Sequence, residues 1–190
     1  RPLVRLRKVG LVARRERLPL VRRRIASDPD VPVLFGGAAQ AVTAIDRSPD
    51  MLRLARTKLP EDARDKYALL LGDFGALPLE PGSVDPVVLH QVLHYAQAPE
   101  QVIGEAARVT AADGRVLIAD FAPHEREELR VRDQHARLGF SDEQMEGWFA
   151  AAGLQLERVE TLPGHELTVQ LWLGRRKGAP VRQQEGRISA

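Results

Sequence analysis

Cysteine is absent from this 190-residue chain, so disulfide bonds and thiolate-bound metal sites are excluded. No apolar run is long enough to span a bilayer, and no signal-peptide pattern is present, so we expect no membrane contact. These features are compatible with the cytoplasm, which is where we expect the protein. Aromatic residues make up only 5% of the chain, but the apolar share of 44% is ordinary for a globular domain.

The charge of the chain is distributed unevenly, although its net value is only +2. Residues 1–26 carry a net charge of +9, residues 27–173 carry −11, and residues 174–190 carry +4. Because basic segments attract polyanions, the N-terminal segment predicts weak, salt-sensitive binding to DNA. The alternative is a basic surface that is only solvated. No pattern in the sequence indicates an oligomeric state.

The stretch YALLLGDFGALPLEPGSVDPVVLHQVLHYA, residues 67–96, organises the rest of the chain. It predicts a strand at 67–72, a turn at Asp73 and Phe74, and a second strand at 84–90 that ends in His90. Apolar runs of this length, rich in β-branched residues and bounded by Gly and Pro, are typical of strands buried on both faces. Ligands of open α/β sheets bind beyond the carboxyl ends of the strands, so these three side chains should line one crevice.

Alternating apolar runs and helical patterns predict one α/β domain over residues 33–174. Residues 1–32 are expected to form a basic N-terminal segment, and residues 175–190 a disordered basic tail. The remaining predictions are strands at 41–46, 115–121, 154–162 and 167–173, helices at 50–59, 99–111 and 141–153, and a charged helix or lid at 125–137. The last two strands should form an antiparallel hairpin. Pro86 should lie at the start of its strand, because proline cannot donate to a ladder.

Three segments, GDFGALPL, GSVDPVVLHQVLHY and EAARVTAADGRVLIADFAP, resemble successive parts of the class I S-adenosylmethionine-dependent methyltransferases. The resemblance runs from about residue 42 to residue 174. It is closest to the methyltransferase half of bacterial proteins that carry an ArsR-type winged-helix repressor domain in front. It implies a Rossmann-like sheet that is mostly parallel with an antiparallel last strand, and S-adenosylmethionine as cofactor. The lack of cysteine argues against an arsenic-methylating enzyme, since that family binds its substrate through cysteines.

The resemblance also implies a set of cofactor contacts. Asp46 should accept hydrogen bonds from the ribose hydroxyls, and Asp73 should hold the adenine amino group. Phe74 should pack on the adenine ring, and His90 should lie near the sulfonium. Arg47 and Met51 complete the predicted cofactor-binding set, with a simple core role as the alternative for Met51.

Four further residues are candidates for contact with the methyl acceptor: His94, Tyr95, His124 and His135. Methyl transfer is an in-line displacement that mainly needs orientation of the two reactants, so no catalytic residue is assigned. His90 and His94 are four residues apart, a spacing that could place a metal pair on one helix face. The sequence provides no third ligand and His90 belongs to a strand end, so no metal is predicted.

The first part of the family pattern is missing. The family opens with a strand followed by a D/E-x-G-x-G-x-G turn, but here only LFGGAA occurs at residues 34–39. The first strand and its glycine turn are therefore predicted to be missing or degenerate. In consequence, the adenosine half of the cofactor should be held better than the methionine half.

The basic N-terminal residues resemble the end of a winged-helix module. A short helix is predicted at residues 1–10 with Gly10 as its C-cap, followed by a loose hairpin pattern at 11–24. A basic surface helix and linker is the alternative to a winged-helix remnant.

Two functions follow as hypotheses. The first is S-adenosylmethionine-dependent methyl transfer to an unidentified small molecule. The alternative is a degenerate, non-enzymatic module linked to an ArsR-type DNA-binding regulator. A nicotinamide-dependent Rossmann enzyme is weaker, because G-x-G-x-x-G is absent.

Overall fold

The computed structural model describes residues 9–14 and 39–178, which form a seven-stranded sheet with helices. Predictions for residues 1–8, 15–38 and 179–190 lie outside these ranges, including most of the hairpin pattern, the two glycines of LFGGAA and most of the tail. In chain order the strands are β1 (Val9–Arg14), β2 (Ala41–Asp46), β3 (Tyr67–Leu71), β4 (Val87–His90), β5 (Arg115–Phe121), β6 (Leu154–Leu162) and β7 (Val169–Arg176).

Two of the described helices begin at side-chain caps that the sequence predicts. The helices are α1 (Pro49–Lys58), α2 (Pro99–Val109), α3 (Glu128–Arg132) and α4 (Asp142–Ala151), with 3-10 turns at Glu61–Lys66 and Leu93–Tyr95. The Ser48 hydroxyl accepts a hydrogen bond from the Met51 N–H, and Pro49 occupies the first turn of α1. Ser141 and Gln144 form the predicted capping box of α4.

The strand order is β3-β2-β1-β4-β5-β7-β6. β2 pairs parallel with β3, and β4 pairs parallel with β5. β7 runs antiparallel to both β5 and β6. The predicted α/β class, with mostly parallel strands and an antiparallel closing hairpin, is confirmed. Pro86 precedes β4 as expected, because the strand begins at Val87 rather than at residue 84.

The position between β2 and β4 is occupied, which the sequence analysis did not predict. β1 lies there antiparallel to both neighbours, with Gly10 opposite Ile45 of β2 and Leu89 of β4. The predicted helix end and C-cap at Gly10 are therefore wrong, and the first-strand position is not empty. A gap there would leave the backbone groups of two central strands without ladder partners. This strand comes from within the predicted N-terminal segment, so the boundary at residue 32 does not separate that segment from the sheet.

One main hydrophobic cluster joins the sheet to α2 and α4. Ile103 of α2, Phe149 of α4 and Trp172 of β7 are each 0% exposed within it. The Asp142 carboxylate accepts hydrogen bonds from Trp172 Nε1 at 2.8 Å and from Gln170 Nε2 at 3.0 Å. These bonds connect the start of α4 to β7, so the closing hairpin is anchored to the helical layer.

The crossover segment, residues 122–140, returns from β5 to α4 across the carboxyl ends of the strands. Its two ends are joined by hydrogen bonds from the His124 N–H to the Leu138 carbonyl and from the Phe140 N–H to the Phe121 carbonyl. The predicted helix or lid at 125–137 is helical only over α3. Gly139 has φ +87°, and a Cβ added there would overlap the Ala122 carbonyl oxygen.

We predict that Gly139→Ala destabilises the fold by roughly 1–3 kcal/mol, because both the positive φ and the overlap disfavour a side chain. Urea denaturation followed by circular dichroism measures this change. The matched control is Gly104→Ala within α2, where the added Cβ would meet no atom within 4 Å outside the backbone of its own helix and its chain neighbours. That control should be neutral or stabilising, because alanine favours helix. Equal effects of the two substitutions would contradict the prediction.

Candidate active site

The carboxyl ends of the parallel strands place acidic and histidine side chains along one edge of the sheet. Asp46 ends β2, His90 ends β4, Asp120 is the penultimate residue of β5, and Asp73 follows β3 by two residues. Such an edge is where open α/β sheets bind ligands. The structure thus brings together side chains that are far apart in sequence.

A cavity of about 360 Å³ opens at this edge. Four of the predicted site residues line it: Arg47, Asp73, Phe74 and Tyr95. The other lining residues come from the turn after β3, the segment after β4 and the first half of α2, and they are Gly75, Ala76, Val92, Ala96, Gln97, Ala98, Gln101 and Val102.

Asp73 provides a negative charge at the rim of the cavity. One carboxylate oxygen accepts a hydrogen bond from the Gly75 N–H at 2.8 Å, and the other pairs with the Arg47 guanidinium. The Gly75 N–H, with help from Arg47, holds the pKa of Asp73 below its usual value. The carboxyl group is therefore ionised at neutral pH and can accept a further hydrogen bond from a ligand.

The remaining predicted cofactor residues are buried and are not among those that line the cavity. Asp46 is 0% exposed, and its Oδ1 accepts a hydrogen bond from the Ser48 N–H at 2.7 Å, at the start of α1. Met51 lies in the first turn of the same helix, also buried. His90 is 5% exposed and pairs in register with Ala119 of β5.

The residues predicted for the acceptor meet in a cluster of rings. We call His94, Tyr95, Phe121, His124 and His135 the histidine cluster. The His94 ring centroid lies 4.0 Å from that of Tyr95, 4.3 Å from His135 and 4.9 Å from Phe121, and Phe121 lies 6.1 Å from His124. Tyr95 belongs both to the histidine cluster and to the lining of the cavity, so the two are adjacent.

A buried carboxylate holds the central ring of this cluster. His94 Nδ1 lies 2.6 Å from Asp120 Oδ1, and the two side chains are 2% and 1% exposed. Asp120 also accepts hydrogen bonds from the backbone N–H groups of Leu93, His94 and Phe121. Because the carboxylate only accepts, Nδ1 of His94 carries the proton and the orientation of the ring is set.

His124 is held in the opposite tautomer. Its Nδ1 accepts a hydrogen bond from the Arg126 N–H at 3.2 Å, so the neutral ring carries its proton on Nε2. Nε2 is buried, and no described residue hydrogen-bonds to it. Burial is the main cause that lowers the pKa of His124, and the nearby His94 lowers it further.

Comparisons with known proteins agree on one type of domain. The family described as "Methyltransferase domain" matches residues 32–118. Malonyl-[acyl-carrier protein] O-methyltransferase of Laribacter hongkongensis is 36% identical over 95 residues, which cover 47% of this chain and 32% of that protein. Demethylmenaquinone methyltransferase of Lactococcus lactis is 36% identical over 81 residues, covering 43% and 32%.

Solved structures show the same fold. The YcgJ protein of Bacillus subtilis has a TM-score of 0.65 at 18% identity, covering 77% of this chain and 87% of its own. An S-adenosylmethionine-dependent methyltransferase from Mesorhizobium loti has a TM-score of 0.64 at 15% identity, covering 76% and 84%. These findings show that the chain is similar to methyltransferase domains and shares the fold of these structures. The chain spans about a third of the length of these two curated relatives.

In this methyltransferase-like domain, sequence reasoning missed Asp120 and Phe121. A signal was present, because the apolar run VLIA is followed directly by Asp120, as the strands ending at Asp46 and His90 also place a polar residue after an apolar run. Gln101 and Val102 of α2, and Gln97 and Ala98 just before it, were missed too, since nothing in an ordinary amphipathic helix and the residues leading into it shows which of them border a cavity.

A metal pair at His90 and His94 is not formed on one helix face. His90 belongs to β4, Gln91 has φ +48°, and His94 lies in a separate 3-10 turn. Within residues 9–14 and 39–178, no group of three or more His, Cys, Asp or Glu side chains could hold a metal. In the same ranges, no helix is long and apolar enough to cross a membrane.

We predict that the free energy of unfolding falls as the pH drops below the ordinary His value of 6.5, partly through His124. Its folded pKa is lowered, so the unfolded state binds more protons in this window. This stability is therefore complete above 6.5 and is lost as the pH falls through the folded pKa. Urea denaturation between pH 5 and 7.5 should show a shallower pH dependence for His124→Gln. The exposed His165 gives the control His165→Gln, which should keep the wild-type slope; a wild-type slope in His124→Gln would contradict the assignment.

Proposed function

We propose that this chain binds S-adenosylmethionine and transfers its methyl group to a small-molecule acceptor. The observation that carries the proposal is the pair of carboxylates, Asp46 and Asp73, at the carboxyl ends of two adjacent parallel strands. Asp73 lines the cavity, and Asp46 is buried at the end of β2. This arrangement suits a nucleoside, because one carboxylate can accept from ribose hydroxyls and the other from an exocyclic amine.

The residues present fit the adenosine half of the cofactor. Asp73 is ionised at the cavity rim, Phe74 supplies an apolar ring beside it, and Asp46 is held at the N-terminus of α1. Arg47 shares the Asp73 carboxylate, so adenine would have to share or displace that ion pair. When bound, the cofactor supplies an activated methyl group, while these residues orient it.

The methionine half has less support from the described residues. β1 runs antiparallel, so Val9 at its start lies opposite His90 at the site edge, while Arg14 at its end lies opposite Ala41 at the far edge. A glycine turn directly after β1 would therefore lie at the edge of the sheet opposite the cavity. We infer that adenosine retains much of the affinity for the cofactor.

Calorimetry with S-adenosylmethionine, its demethylated product and adenosine tests the proposal. Asp73→Ala and Asp46→Ala should each weaken binding by about tenfold or more. Charge-assisted hydrogen bonds contribute roughly 1.5–3 kcal/mol each, and about 1.4 kcal/mol corresponds to one decade in affinity.

The matched control is Asp113→Ala, since Asp113 is an exposed carboxylate that pairs with Arg175 at the opposite end of β5. It should bind the ligands as the wild type does. Unfolding curves check that Asp46→Ala, which alters a buried residue, is still folded. Unchanged affinity in both site variants would remove the assigned roles, and no binding by wild type at millimolar cofactor would favour the second candidate below.

The second candidate is a degenerate, non-enzymatic module linked to an ArsR-type DNA-binding regulator. The antiparallel β1 favours it, because the strand direction that presents a glycine turn to the cofactor is not retained. The basic charge of residues 1–26 supports a role near nucleic acid.

We predict that the chain binds DNA weakly, without sequence preference and with a steep fall in affinity as salt rises. Replacing Arg5, Arg7 and Lys8 together by Gln should weaken binding in fluorescence anisotropy and reduce the salt slope. Replacing Arg53 and Arg56 of the exposed face of α1 by Gln removes charge from the acidic body and serves as the control. Binding that is lost equally in both variants would mean that the N-terminal segment has no special role.

A further inference from the structure

The histidine cluster contains a base whose proton position is already set. Asp120 accepts from His94 Nδ1, so in the neutral ring the lone pair is on Nε2. Three backbone N–H groups donate to the same carboxylate and hold it in place. A carboxylate in this position also stabilises the imidazolium that forms when Nε2 accepts a proton.

The cluster also contains a hydrogen-bond donor. His124 presents an Nε2–H that no described residue accepts, while the Arg126 N–H fixes its other nitrogen. A buried donor without a partner is costly unless a ligand or water satisfies it. His94 and His124 both contact Phe121. The His94 lone pair and the His124 donor therefore lie on two rings that pack against the same residue.

The surroundings of these two groups are flat and aromatic. Phe121 and His135 are stacked, with ring planes 13° apart at a centroid distance of 5.8 Å. Tyr95, Phe121 and His124 are only partly buried, whereas the His94 ring and the His124 Nε2 atom are buried. A ligand that reaches those two groups would therefore enter past the exposed parts of the three partly buried residues. Tyr95 connects the cluster to the cavity assigned above to the cofactor.

We propose that the histidine cluster binds a small, planar acceptor through a phenolic or enolic hydroxyl group, with His94 Nε2 as the base and His124 Nε2–H as a donor to the acceptor oxygen. This inference rests on the proposed methyl transfer. A donor beside the reacting atom favours an oxygen that becomes negative over an ammonium group. A base is required because a hydroxyl still carries its proton at neutral pH.

The proposed step is a proton transfer that leaves the oxygen ready to react. The hydroxyl proton moves to His94 Nε2, and the O–H electron pair stays on the oxygen. When bound, S-adenosylmethionine supplies the methyl carbon, whose bond to sulfur breaks with the electron pair left on sulfur as the oxygen–carbon bond forms. His94 then releases its proton to water, and its Nδ1 keeps the hydrogen bond to Asp120 throughout.

The first test uses the protein without any ligand. Nitrogen-15 NMR of the imidazole rings should show His94 with its proton on Nδ1 and His124 with its proton on Nε2. The exposed His165 is an internal reference for an unconstrained ring. Asp120→Asn should remove the fixed His94 tautomer, because an amide cannot accept at both of its ends. A wild-type His94 with its proton on Nε2 would overturn the proposal.

The second test uses 4-nitrophenol as the probe, since its phenolate absorbs visible light. Wild type should bind it and raise the phenolate fraction below the pH at which the free probe ionises. His94→Asn keeps an N–H donor to Asp120 but deletes Nε2, so the bound phenolate fraction should fall by about tenfold or more. His124→Phe should weaken probe binding by about fivefold to tenfold. His124→Gln retains a donor and should restore it, and His165→Gln should match the wild type.

Each outcome separates this inference from the proposed function. Cofactor binding without probe binding, or with an unchanged phenolate fraction in His94→Asn, would overturn the acceptor assignment and leave the cofactor site intact. Probe binding with the expected variant effects, but no cofactor binding, would support the hydroxyl site. It would contradict the proposal that S-adenosylmethionine is the methyl donor. Circular dichroism shows whether a variant has lost its fold. The NMR tautomers of the wild type test the proposal even then, because they do not depend on any variant.

Discussion

The Asp120 carboxylate connects the sheet to the functional edge. It sits near the end of β5, accepts hydrogen bonds from two N–H groups of the 3-10 turn after β4, and holds the His94 ring. A buried carboxylate is stable only when hydrogen-bond donors satisfy its oxygens, so the hydrogen bonds to Asp120 form together when the protein folds. The turn after β4, the ring of His94 and the start of the crossover segment therefore take their positions from one side chain.

Asp73 is a second acidic residue at the same edge of the sheet, and different contacts hold it in place. Asp73 is half exposed and is held by the Gly75 N–H and Arg47, so solvent screens its charge and ligands can reach it. The buried carboxylate orients a ring, while the exposed one remains available for recognition. This difference in burial gives two aspartates at the ends of parallel strands distinct roles in the proposed chemistry.

The central strand position shows how backbone hydrogen bonding constrains the fold. β2 and β4 would each present an unpaired edge in the middle of the sheet, and β1 satisfies both. Its first five residues, VGLVA, are apolar, as is usual for a strand inside a sheet. Antiparallel pairing satisfies the ladder as well as parallel pairing does, but it places Arg14, the last residue of β1, opposite Ala41 at the far edge of the sheet from the ligand site.

Local pattern in the sequence was sufficient for the α/β class, the bounds of β2, β5 and β6, the Ser48 and Ser141 caps and the carboxylates at Asp46 and Asp73. These features depend on neighbouring residues, periodicity and the rule that strand ends carry ligand contacts. The antiparallel β1, the Asp120–His94 pair and the α2 side of the cavity were decided only by the tertiary structure. Each of them joins residues that are far apart in the chain, and a hydrogen bond between distant elements leaves no periodic signal in the sequence.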